Sequence, residues 1–245
     1  RVFLAPGRSA VFAQHAFAVY PLATLSTGAE LIATPAKNFG HDLDAMRAAI
    51  RPDTRIVWIA NPNNPTGNFL PYPEVRAFLE AVPKDVVVVL DEAYNEYLPP
   101  AERVDTAAWI REFPNLVVTR TFSKIFGLAG LRVGYALASA EIADLMNRVR
   151  QPFNVNSVAQ AGAIAALGDA RMLHAGRIAG AQRLALGMRH VERPQEHAVD
   201  EAEHARDRGD AEGDQQGAAP GRVEAKRQRQ QGDRPQAERG EAGGG

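Results

Sequence analysis

The sequence predicts an α/β protein of three layers, with helices on both faces of a mostly parallel sheet. Three observations lead there. Up to about residue 180, short apolar runs alternate with amphipathic segments. Several runs are apolar throughout, as strands buried on both faces should be. Strand-like and helix-like patterns alternate along the chain, which implies parallel strands joined by crossover helices. Taken in order, Ala10–Phe12 opens the sheet and Phe17–Ser26 supplies the first amphipathic segment. Glu30–Thr34 is the second strand and Asp42–Ile50 the second helix. Arg55–Ala60 is followed by a helix over Pro73–Ala81, and Val86–Leu90, four valines and a leucine among them, is the most apolar run. Leu116–Arg120 and Val133–Ala138 complete six strands. Helices are expected over Ala140–Arg150, Asn156–Leu167 and Ala170–Leu186.

Composition removes several function classes. Twenty-eight basic residues against 29 acidic ones leave a net charge of −1, so bulk charge holds the chain neither to nucleic acid nor to a membrane surface. The chain has no cysteine, which excludes disulfide scaffolds, cysteine nucleophiles and Cys-ligated metal centres. No metal is expected. No apolar run approaches the roughly 20 residues that span a bilayer. The chain opens Arg1-Val2-Phe3-Leu4 and is expected, with no signal peptide, to be a piece of a longer cytoplasmic protein.

The averages conceal a break. Aromatic residues stop at Phe153, and from about Ala181 to Gly245 the chain is mostly Ala, Arg, Glu, Gln, Gly and Asp. Both charge signs are interleaved there. Too little apolar surface is present to offset an ordering entropy of roughly 1–2 kcal/mol per residue. Residues 181–245 are therefore expected to be a low-complexity tail, disordered or a frayed helix. An abrupt change of composition is also what a reading-frame slip in a GC-rich gene produces.

Parallel sheets place their ligands at the carboxyl ends of the strands, so the residues after each strand matter most. After 55–60 comes Asn61-Pro62-Asn63-Asn64-Pro65-Thr66-Gly67. Such residues make turns, yet the prolines also hold the asparagines in a rigid presentation, from which Asn64 could donate to a ligand oxygen. After 86–90 comes Asp91-Glu92-Ala93-Tyr94, readable as a helix cap or as a magnesium-holding acid segment. The magnesium reading needs a glycine-rich phosphate loop ending in Gly-Lys, and none of the four lysines (Lys37, Lys84, Lys124, Lys226) follows a glycine. After 116–120 comes Thr121-Phe122-Ser123-Lys124, with Arg132 eight residues on, a set able to line an anionic pocket. Glycines 127, 130 and 134 follow the lysine and do not form a dinucleotide fingerprint.

The order of these signals is more specific than any one of them. Asn61–Gly67, Asp91–Tyr94 and Thr121–Tyr135, supported by Gln14–Tyr20 and Gln151–Gln160, resemble the class I/II aminotransferases of fold type I, which depend on pyridoxal phosphate. Within them the chain is most similar to the histidinol-phosphate aminotransferase group. The resemblance covers roughly residues 1 to 180. It implies a pyridoxal-phosphate-binding large domain over 1–180, incomplete because a preceding arm and a following small domain lie outside the match.

The resemblance also implies roles. Lys124 matches the lysine that holds the cofactor's aldehyde and later carries the proton from the substrate Cα. Asp91 matches the carboxylate that keeps the ring nitrogen protonated. Asn64 and Tyr94 match the residues that hydrogen-bond the phenolic oxygen. Thr121, Ser123 and Arg132 match the phosphate grip, to which arginine brings a permanent charge and a two-pronged fork. Phe17 is the expected aromatic cover of the ring, with Tyr20 its competitor. His15 is expected to be structural, and Glu92 to point elsewhere. The implied reaction is transamination of an amino acid or amino-acid-like phosphate, histidinol phosphate favoured, with 2-oxoglutarate as acceptor, in a homodimer. A related lyase acting on a phosphorylated amino acid would share every one of these residues. A noncatalytic binding module is the remaining alternative. With a glycine-led, phosphate-binding helix and the small domain's substrate-binding arginine both outside the match, the chain as it stands is expected to bind cofactor weakly and not to be a competent transaminase.

Overall fold

The computed structural model describes residues 1–169 and, beyond them, Arg171, Leu173, His174 and Gly176. Apart from those four positions, the expected helix Ala170–Leu186 and the whole expected tail lie outside the described residues. The six strands are β1 (Ser9–Ala13), β2 (Glu30–Thr34), β3 (Thr54–Ala60), β4 (Val87–Asp91), β5 (Leu116–Thr121) and β6 (Gly134–Leu137). They form one sheet in the order β2-β1-β3-β4-β5-β6. The first five run parallel, and β6 returns antiparallel to β5. That reversal follows from the connection: no α-helix lies between β5 and β6, only the 3₁₀ turn Ala129–Leu131, so the chain comes back along its neighbour instead of crossing over. Gly134 permits the close return, because a Cβ there would lie 2.8 Å from the Arg120 carbonyl oxygen.

Five α-helices accompany the sheet: α1 (Val19–Leu25), α2 (Leu43–Ala48), α3 (Tyr72–Ala81), α4 (Ala140–Val149) and α5 (Ser157–Leu167). Side-chain hydrogen bonds mark their starts where capping residues are available: Asp42 accepts from the Ala45 amide, Ser139 from Ile142 and Asn156 from Ala159. Pro71 and Pro73 open α3, where a missing N–H costs nothing. Helix α1 begins two residues later than its apolar pattern suggests, with Ala18 at the cap position and no side-chain cap, which leaves Phe17 in the loop before it.

Alternation along the strands divides the core into two layers. Val11, Val57, Ile59, Val88, Leu90, Leu116 and Val118 face one way, against Met46 of α2 and Val75, Phe78 and Leu79 of α3. Ala10, Ile56, Val87, Val89 and Val117 face the other way, against Ile142 of α4. Phe12, Ala60 and Trp58 extend this second face beneath Tyr20 of α1. The expected three layers are thus present. Helix α5 packs apart from the sheet, on Phe122, Ile125, Phe126 and Val133 of the β5–β6 loop.

Candidate functional site

The carboxyl ends of β1, β3, β4 and β5 come side by side, and the loops leaving them build a cleft. Asp91, the last residue of β4, pairs with Ala60 on one side and Thr119 on the other. Phe17, Tyr20, Ala60, Pro62, Asn64, Asp91, Ala93, Tyr94 and Lys124 line a cleft of about 300 Å³ of empty space, its open mouth included.

The Asn-rich loop is rigid through side chains as well as prolines. The Asn61 amide donates to the Leu70 carbonyl at 3.0 Å, and its oxygen accepts from the Leu70 amide at 2.8 Å, which closes the loop on itself. Asn63 donates to the His15 carbonyl at 2.8 Å and to the Thr66 hydroxyl at 2.7 Å, tying this loop to the segment after β1. Both are buried; Asn64, half-buried, is the one that reaches the cleft. His15 contributes its backbone carbonyl to this join while its ring sits against Phe39, 5.6 Å between centroids.

Asp91 and Glu92 are adjacent in sequence and opposite in direction. Val87, Val89 and Asp91 share one face of β4, so Asp91 faces the α1 side and the cleft. Glu92 continues the other face and is completely buried. Two guanidinium nitrogens of Arg120 donate to Glu92 Oε2 at 2.9 and 2.7 Å, and the Thr106 hydroxyl donates to Oε1 at 2.7 Å. Glu92 is therefore a structural anchor, as expected. Asp91 accepts from the Ala93 amide at 3.1 Å through Oδ1 and from the Tyr20 hydroxyl at 2.7 Å through Oδ2. The cap reading of Asp91 does not hold, because only the short 3₁₀ turn Asn95–Tyr97 follows.

Lys124 is exposed at the cleft edge, its Nζ 5.1 Å from the centre of the Tyr94 ring. Five of the eight residues expected at the site (Phe17, Asn64, Asp91, Tyr94 and Lys124) thus line one cleft. The other three stand beside it on the β5–β6 connection. Thr121 ends β5, and its hydroxyl accepts from the Ser123 amide at 3.1 Å. Arg132 caps a 3₁₀ turn in left-handed backbone, φ 52°, with its guanidinium turned back on the Ala129 carbonyl at 2.9 Å. The fork expected to hold phosphate thus satisfies its own turn.

The structure separates Phe17 from its competitor. Tyr20 lies flat on Trp58, with rings 4.8 Å apart and 10° from parallel, and is only 3% exposed. Burial and the neighbouring Asp91 carboxylate push its phenol pKa well above the ordinary range, so it remains a donor. Phe17, 38% exposed, is the aromatic ring free to face a ligand. The Tyr20–Asp91 bond spans 71 positions, and the one trace of it in the sequence is a tyrosine one helical turn after the aromatic at 17.

The residues suit a pyridoxal phosphate ring. One cleft presents an amine, a carboxylate with acceptor capacity left after two bonds, an amide, a phenol and an aromatic face. The fold and this set define a class of protein, and the chain belongs to it: residues 1–189 match the family of class I and II aminotransferases. Among similar proteins, histidinol-phosphate aminotransferase 1 of Dechloromonas aromatica is 89% identical over 169 residues, covering 69% of this chain and 47% of that protein. Histidinol-phosphate aminotransferase 1 of Thiobacillus denitrificans is 63% identical over 191 residues, covering 77% and 50%. The crystal structure of histidinol-phosphate aminotransferase from Sinorhizobium meliloti in complex with pyridoxal-5'-phosphate superimposes with a TM-score of 0.69 at 32% identity, over 73% of this chain and 48% of that one. The chain spans about half the length of the curated relatives it matches.

Proposed function

We propose that this chain is the cofactor-binding part of a pyridoxal-phosphate-dependent aminotransferase, with histidinol phosphate as the favoured amino donor and 2-oxoglutarate as acceptor. The observation that carries this reading is the meeting of Lys124 and Asp91 in one cleft with Asn64 and Tyr94. The kinship with enzymes named for histidinol phosphate supports the choice of donor.

When bound, pyridoxal phosphate supplies the electron sink that makes the substrate Cα proton acidic. The protein does the remaining work. Asp91 presents a negative oxygen to the ring nitrogen and so favours its protonated form. The Lys124 amine would hold the cofactor through its aldehyde carbon and, when a substrate amine takes its place there, would be the base for the Cα proton. Asn64 and Tyr94 offer hydrogen-bond donors to the phenolic oxygen. Phe17 covers the ring and keeps water from one face. Thr121 and Ser123 would supply hydroxyls for the phosphate, and Arg132 would add its charge there by giving up its bond to the Ala129 carbonyl.

The whole protein is read as a homodimer. Phe153 is 98% exposed, and Val158, Ile164 and Leu167 leave an apolar flank on α5 open; a helix apolar on all sides belongs in an interior. Among the described residues no helix is long and apolar enough to cross a membrane.

Borohydride reduction of the chain loaded with pyridoxal phosphate, followed by peptide mass analysis, tests the assignment. The expected product is a pyridoxyl group on Lys124. Attachment at Lys37, Lys84 or Lys226, or at no lysine, would refute it.

A further inference from the structure

Asp91 is held at two points by two different parts of the chain. The Ala93 amide, from the loop that continues β4, binds one carboxylate oxygen, and the Tyr20 hydroxyl, from α1, binds the other at 2.7 Å. We infer that Tyr20 is a positioning residue for Asp91: its hydroxyl sets the plane of the carboxylate so that a free lone pair faces the ring nitrogen of the bound cofactor. This rests on the reading of the cleft as a pyridoxal phosphate site and deepens it.

Several features separate this role from ordinary core packing. Tyr20 is nearly inaccessible, and a phenylalanine would fill the same volume without a polar atom to satisfy. Its ring is clamped flat on Trp58 below and meets the edge of Phe17 at 5.8 Å and 88°. The hydroxyl therefore has little freedom to swing, and it points at Asp91. An ionised carboxylate offers about four lone-pair sites, of which two are used here. What remains is acceptor capacity directed into the cleft. With Ala93 alone the carboxylate could rotate about its last bond; with Tyr20 as well, its plane is defined. The same Trp58–Tyr20–Phe17 stack joins the floor that fixes the carboxylate to the ring proposed to cover the cofactor, so both sides of the ligand are located by one cluster.

The experiment compares two ligands on the full 245-residue chain: pyridoxal phosphate, and its carbocyclic analogue in which CH replaces the ring nitrogen. Binding is followed by absorbance titration for the wild type, Tyr20→Phe, Asp91→Asn and the double variant. A positioning role predicts that Tyr20→Phe weakens pyridoxal phosphate roughly ten-fold or more, the scale of a hydrogen bond to a charged group. It predicts less than about two-fold for the analogue, which has no nitrogen for Asp91 to meet, and no further loss when Tyr20→Phe is added to Asp91→Asn. Equal weakening of both ligands overturns the inference and makes Tyr20 a shaper of the cleft; unchanged binding of both overturns it too. The analogue arm also reports on folding, because its retained affinity requires an intact cleft. A wild-type chain that fixes neither aldehyde on Lys124 after borohydride overturns the site itself. Loading on Lys124 without discrimination between the two ligands overturns the role of Tyr20 alone.

Discussion

The two sides of β4 carry neighbouring acids in contrasting surroundings. On the α1 side, Asp91 is half-buried, bonded to one hydroxyl and one amide, and open to a cleft. On the α3 side, Glu92 is sealed from solvent and paired with an arginine on the adjacent strand. They are consecutive residues in extended backbone, and strand alternation sends them to opposite layers. Acidity near a strand end is therefore a poor guide to function; the layer a side chain enters decides whether it meets ligand or locks the fold.

The contrast can be broken by mutation. Lys124→Ala, which removes the amine on the cleft side, should abolish covalent retention of pyridoxal phosphate altogether, measured by absorbance after gel filtration. Glu92→Ala should have the largest effect on stability. It strands Arg120, and breaking a buried pair from one side costs about 3–5 kcal/mol. Chemical denaturation with a loss below about 1 kcal/mol would mean that the pair is idle. Asp91→Asn should do the reverse. It keeps an acceptor for Tyr20, so unfolding should shift by less than about 1 kcal/mol, while titrated affinity for pyridoxal phosphate falls.

A smaller effect sharpens the comparison with a third ionisable group, this one buried. His41 is buried, with Nε2 against the backbone of Ala60 and Nδ1 without a partner. Burial lowers its pKa below the ordinary value of 6.5. The unfolded chain therefore binds the extra proton first as pH falls, so His41 contributes stability above about pH 6.5 that is lost progressively below it. Denaturation midpoints measured between pH 7.5 and 5.5 should decline, and His41→Gln should flatten the decline.

Much of the fold was legible in the sequence. All six strands fall within a residue or two of the expected runs; the inner four, β1, β3, β4 and β5, are largely buried and leave a mostly apolar signature, while the edge strands β2 and β6 are partly exposed. Five helices appear where amphipathic segments stood. The direction of β6 left no such trace: its pattern fits either sense, and the short connection with Gly134 against Arg120 decided it. At the site, Lys124, Asp91, Asn64 and Tyr94 were legible because each follows a strand and their order resembles that of one enzyme family. Tyr20 was ambiguous, since an aromatic in an apolar segment reads equally as core or as ring cover. The side chain of Arg132 was harder still, because its fold back onto Ala129 depends on a left-handed backbone that no residue type announces.

By itself the sequence determined which segments enter the sheet, which residues stand at the strand ends and what chemistry they can offer. These are local properties, set by apolar periodicity and by side-chain type. The tertiary structure decided which strand ends are neighbours, that Asp91 rather than Glu92 enters the cleft, and that a tyrosine 71 positions away holds it there. Those outcomes depend on strand order and on the packing of α1 over Trp58, contacts between distant residues that a linear pattern does not contain.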